Sequence, residues 1–167
     1  MDHTDTENRR ERMTGERHER LIIQSKLYPA TGTRRPLPRP RLDSCSDVLD
    51  GIFPVVVVAA PAGYGKSTLM AQWHARLRER GVSCAWLSVD EDDDDAARFL
   101  SHLIAALQKA SAHVGKDVAE HLVADFTSGS KSVLEAIAGD LALVQHRIVL
   151  FLDDLQLVEE QYDAVLD

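Results

Sequence analysis

At 167 residues, 44% of them hydrophobic, the chain is long enough for one domain with a real core. Its net charge of −8, from 19 Lys and Arg against 27 Asp and Glu, argues against non-specific nucleic-acid binding by the acidic body. No apolar run approaches a membrane span, and the charged N-terminus is no signal peptide, so a cytoplasmic location and no membrane partner are expected.

The charge is uneven. Residues 1–41 carry ten Lys and Arg against six Asp and Glu, leaving nine against twenty-one for the rest. Residues 1–25 read as a disordered charged tail, broken only by the short apolar patch Leu21-Ile22-Ile23. Residues 26–50 read as an N-terminal arm and a short helix. Pro36, Pro38 and Pro40 force an extended path there. Such an arm either lies across a binding site further on, with Arg39 or Arg41 close to it, or is a solvated linker. The helix, over Arg41–Asp50, leads into the core, which takes residues 51–167.

The run Val55-Val56-Val57-Val58-Ala59 reads as the first strand. Behind it comes Ala60-Pro61-Ala62-Gly63-Tyr64-Gly65-Lys66-Ser67-Thr68, then a helix over 66–80 with Leu69, Met70, Trp73 and Leu77 at helical spacing. Strand, glycine-bearing loop ending in Gly-Lys-Ser, then helix is the arrangement that holds a nucleoside triphosphate by its phosphates. Gly63 and Gly65 free the backbone so that N–H groups point inward. The unpartnered amides of the helix N-terminus favour an anion at the same place. Lys66 then reaches the β and γ phosphates, the Ser67 hydroxyl binds magnesium, and Thr68 sits by the α phosphate. Ala60 stands where a first glycine is usual. The residues alone leave ATP and GTP open.

Gly81 is a helix stop, and Ser83–Val89 reads as the second strand, bearing Trp86. Asp90 to Asp95 is expected to be a solvated acidic loop whose last aspartates cap the next helix. That helix carries Phe99, Leu100, Leu103, Ile104 and Leu107. Ser132 opens another, with Leu134, Ile137 and Leu141. Five apolar residues, Ile148 to Leu152, then end in Asp153-Asp154 and read as a strand covered on both faces. Asp153 would hold magnesium and Asp154 polarise an attacking water. The alternative is a plain strand exit with solvated carboxylates. Cys45 and Cys84 make no disulfide framework, and Cys84 reads as a buried thiol. His74, His102, His113, His121 and His146 lack metal spacing and read as ordinary helix or surface residues. The alternation gives an α/β class with a parallel sheet, a three-layer P-loop NTPase. Its sheet looks incomplete, with C-terminal strands missing, because only 13 residues follow Asp154 and Glu159–Asp167 looks helical.

Several stretches together resemble the start of the large ATP-dependent LuxR-type transcriptional regulators. They are Lys26-Leu27-Tyr28-Pro29, Arg39-Pro40-Arg41-Leu42, Pro61 to Leu69, Gln72-Trp73, Trp86 to Glu91, Arg98-Phe99, Leu103 to Gln108 and Leu152-Asp153-Asp154. The resemblance runs from Lys26 to the last residue. It implies membership of the signal-transducing NTPases with numerous domains: an N-terminal module that binds ATP and Mg2+, self-associates in the full-length protein when an inducer binds further along, and is reset by hydrolysis. It implies that Lys66 and Ser67 hold phosphates and magnesium, that Asp153 holds magnesium, that Asp154 is the catalytic acid position, and that Arg39 lies near the nucleotide. Asp92 and Asp94 replace a more usual glycine and asparagine, and Leu155-Gln156 an aromatic-histidine pair. Sensor elements, inducer-binding repeats and a DNA-binding domain are absent, so no DNA binding and at most weak ATPase activity are expected of this segment. Two other functions compete. A small P-loop kinase would want an arginine lid, but past Arg98 only Arg147 remains. An inert truncated product would aggregate through its open strand edge.

Overall fold

The computed structural model describes residues 22–30, 42, 49–94, 96–118 and 130–157. Arg39, Arg41, the proline run, most of the expected 41–50 helix, His121 and residues 159–167 lie outside the described residues.

Among the described residues, three α-helices and two strands carry the architecture. Helix α1 spans Lys66–Glu79, strand β1 Ser83–Ser88, α2 Ala96–Ala110, α3 Ser130–Leu143 and β2 Ile148–Asp153. Short 3-10 turns occur at Gln24–Leu27, Glu91–Asp94 and Leu155–Leu157. The expected 66–80 helix and the 83–89 strand are therefore present to within a residue. Helix α1 ends because Gly81 takes a left-handed φ of 76°. The Gly81 amide then reaches Arg78 O and the Val82 amide reaches Leu77 O, both at 3.0 Å, a double bond pattern that satisfies the last carbonyls.

The two strands pair in parallel, from Ser83 opposite Ile148 to Ser88 opposite Asp153. Side chains alternate across a strand, so this register sorts every residue to a face. Trp86 and Phe151 turn to one side and join Leu69, Trp73 and Leu77 of α1, with Leu49. Trp86 and Phe151 stack at 5.6 Å, and His74 of α1 meets both edge-on at 5.8 and 5.5 Å. Ala85 and Leu87 turn to the other side, where Leu100, Leu103, Ile104 and Leu107 of α2 meet Val133 and Ile137 of α3. Helix, sheet, helices is the three-layer order expected for a chain that alternates the two element types.

One expected element is missing. Val55–Ala59 forms no strand: it carries no ladder bonds, and Val55 and Val57 are 76% and 83% exposed. A strand exists only through a paired neighbour, and the two-stranded sheet does not extend to this segment. Ile22, at the end of the expected tail, and Leu27 of the arm are buried in the α2 core cluster.

Candidate functional site

The register that builds the core also builds the site. Asp153 lies two residues beyond Phe151, so its carboxylate shares the α1 face of the sheet. Phe151 and Trp86 pin α1 there by packing on Leu69, Trp73 and Leu77, which brings the helix N-terminus to the strand end. Ser67 Oγ donates to Asp153 Oδ1 at 2.9 Å, joining residues 86 positions apart.

The loop before α1 has the shape its glycines permit. Gly63 has φ 81° and Gly65 φ 80°, both left-handed. Open space surrounds the position where a Gly63 side chain would start, so conformation and not crowding requires glycine there. The Tyr64 amide reaches Pro61 O at 3.4 Å and closes a turn. The Leu69 amide makes a 3.0 Å bond to Gly65 O, the first of the helical ladder. The amides of Lys66, Ser67 and Thr68 precede it and make no bond of that ladder, which is the donor set an anion needs. Lys66 Nζ donates to Ala60 O at 2.9 Å and Pro61 O at 3.5 Å, so the ammonium lies over the loop it is expected to serve.

Asp153 is 7% exposed. Burial pushes its carboxyl above the usual range; the Ser67 hydroxyl opposes the shift, and the charge of Asp154 adds to it. A buried carboxylate beside a hydroxyl is a pair of hard oxygen donors, the set that suits magnesium. Asp154 differs. It is exposed, holds φ 59°, and accepts from Gln156 Nε2 at 3.2 Å. Ala62, Gly63, Tyr64 and Thr68 are exposed on the open side of the loop. Lys66, Ser67 and Asp153 thus come together, Asp154 adjoins them, and Arg39 falls outside the described residues.

Sequence reasoning passed over Ser88. It is the cross-strand partner of Asp153, and its Oγ accepts from Trp86 Nε1 at 2.8 Å. An indole nitrogen only donates, so the serine proton is free to point elsewhere on this face. The signal was the i, i+2 spacing of Trp86 and Ser88, legible only once the register with Asp153 is known.

The acidic segment also departs from expectation. Asp93 is 0% exposed rather than solvated, and its partners are Lys26 and His102. His102 is correspondingly buried and hydrogen-bonded. Asp95 and the side chain of Asp94 lie outside the described residues. Among the described residues no cluster of His, Cys, Asp and Glu has metal-site geometry, and no helix is long and apolar enough to cross a membrane.

Residues 41–167 match the family model described as AAA ATPase domain. The chain is 36% identical over 139 residues to the HTH-type transcriptional regulator MalT of Klebsiella pneumoniae, and 30% over 140 residues to that of Vibrio campbellii. It is 30% identical over 137 residues to the serine/threonine-protein kinase PknK of Mycobacterium tuberculosis. These alignments cover 79–83% of the chain but only 12–15% of the relatives' own lengths. With a parallel α/β core and a family match over most of its length, the chain belongs to the AAA ATPase domain family.

Proposed function

We propose that the chain is the ATP-binding switch module of a signal-responsive transcriptional regulator, that it binds nucleotide with magnesium, and that it hydrolyses slowly or not at all as it stands. The observation that carries this reading is the 2.9 Å contact between Ser67 Oγ and Asp153 Oδ1 at the N-terminus of α1. Two oxygen ligands from distant parts of the chain meet where unpaired amides collect, which is the arrangement a metal-bound polyphosphate needs.

Each residue has a role in that reading. The backbone of Ala62 to Gly65 and the amides of Lys66 to Thr68 surround the phosphates. Lys66 leaves its loop carbonyls for the β and γ phosphates. Ser67 and Asp153 hold Mg2+, which supplies charge neutralisation between the phosphate oxygens. Asp154 stands one residue beyond, where it can orient water, and Arg39 is assigned to the nucleotide's neighbourhood. The regulator assignment draws on the similarity to MalT, whose printed description is an HTH-type transcriptional regulator. Self-association belongs, in this reading, to a longer protein, and the cytoplasm is its setting.

The test is titration with a fluorescent ATP analogue, with and without Mg2+. Saturable binding that strengthens with the metal and is weakened about ten- to hundredfold by Lys66→Ala is expected. A folded sample with no saturable signal refutes the reading.

A further inference from the structure

Residues 22–28 are fastened to the body by a polar network that makes no hydrogen bond to Lys66, Ser67 or Asp153. Lys26 is 5% exposed, yet its Nζ donates to Asp90 Oδ1 and Asp93 Oδ2, both at 2.6 Å. A buried ammonium survives only when paired in this way. The Asp90 amide shares Asp93 Oδ2 at 3.1 Å. Asp93 Oδ1 lies 2.9 Å from His102 Nδ1. On the far side of the ring, the Ile23 amide lies 3.2 Å from His102 Nε2 and donates to it.

These contacts fix the state of the ring. A backbone N–H only donates, so Nε2 must present its lone pair. The single ring proton then sits on Nδ1 and is donated to Asp93. The imidazole is neutral, and the arm's hydrogen bond depends on that neutrality.

We propose that Ile22 to Tyr28 is a latch gated by His102, docked while the neutral imidazole accepts the Ile23 amide and released when a proton occupies Nε2. Imidazolium carries hydrogen on both nitrogens, and two donors would then face each other at 3.2 Å. The charged groups around the ring are Lys26 from the arm, Asp90 and Asp93 from the acidic segment, and Arg98 from its own helix. Strand β1 and helix α3 contribute apolar side chains to the adjoining core. Burial lowers the affinity of His102 for a proton; the Asp93 carboxylate opposes this, and Lys26 and Arg98 reinforce it. In the released state the ring regains water and binds a proton more readily than when docked. The docked state therefore binds fewer protons, so docking is at full strength while the ring is neutral and weakens as pH falls. Release uncovers Ile22 and Leu27 and the surface of α2 and β1 that they cover.

The test is NMR on the 15N-labelled full chain, following Ile23 amide protection against pH beside the Val89 amide, which is bonded to Asp153 O at 2.9 Å. Imidazole 15N shifts should report the Nδ1–H form at pH 7.5. Ring protonation as pH falls should track the loss of Ile23 protection, while Val89 stays protected. His102→Gln offers an uncharged acceptor and should flatten the Ile23 profile. An Nε2–H tautomer, Ile23 protection constant down to pH 5 in the unaltered chain, or the same pH step in H102Q would each overturn the proposal. The first two readouts need no variant.

Discussion

Removing the Ser67 hydroxyl tests the site at its junction. In Ser67→Ala, Asp153 loses the donor at 2.9 Å and remains at 7% exposure. A hydrogen bond to a charged group contributes about 1.5–3 kcal/mol to stability. For a chain of this size, each kcal/mol moves the melting temperature by about 2–4 °C, so a fall of about 3–12 °C is expected. Asp153→Asn behaves differently. The amide keeps an oxygen for Ser67 but removes a buried charge that desolvation already disfavours, so the nucleotide-free chain should melt no lower and can melt higher. The double variant isolates the pair, because directly bonded residues do not act independently. The assay is thermal unfolding by circular dichroism at pH 7, with and without Mg-ATP. Both single variants should lose the stabilisation that Mg-ATP confers, though they move the nucleotide-free melting point differently. If S67A melts like the unaltered chain and the two changes add without coupling, the contact does not hold the site together and the reasoning fails.

Other outcomes follow from the same geometry. Lys66→Ala should lower nucleotide affinity by about ten- to hundredfold, the equivalent of about 1.5–3 kcal/mol for a lost charge-assisted bond, by equilibrium titration. It should leave the fold intact, because the Lys66 contacts to Ala60 O and Pro61 O are exposed. Ser88→Ala should weaken the magnesium dependence of binding while Ser88→Thr restores it; equal magnesium dependence in all three proteins would remove Ser88 from the site. Leu77→Ala, at a fully buried position between α1 and the sheet, should cost about 2–5 kcal/mol in denaturant unfolding. The raised proton affinity of Asp153 gives a sign for pH. The folded, nucleotide-free chain binds this proton more tightly than the unfolded chain. That contribution to stability is present in full below about 3.8 and is lost as pH rises through the folded value. Asp153→Asn should remove this component from a stability-versus-pH series.

Periodicity and loop chemistry made much of this protein legible in its residue order. Leu69, Trp73 and Leu77 at helical spacing, Gly81 as a stop, and the apolar run ending at Asp153 correspond to elements that form almost where expected. Local rules suffice there because a helix face, a left-handed glycine and a buried strand each leave a short-range mark. Gly63 and Gly65 likewise announced a loop whose backbone turns left-handed.

Other features depended on distant partners. Val55 to Val58 has strand composition, but pairing requires a neighbour, and composition cannot supply one. The run Asp90 to Asp95 reads as solvated because carboxylates prefer water, yet Lys26 and His102, from 67 residues before and 9 residues after Asp93, bond to Asp93 in the interior. Desolvation was outweighed by three convergent hydrogen-bonding groups, and convergence is a property of the folded chain. The approach of Ser67 to Asp153 is of the same kind. Residue order fixed which donors each segment carries, while the parallel register of β1 on β2 and the seating of α1 on Trp86 and Phe151 decided that two of them meet.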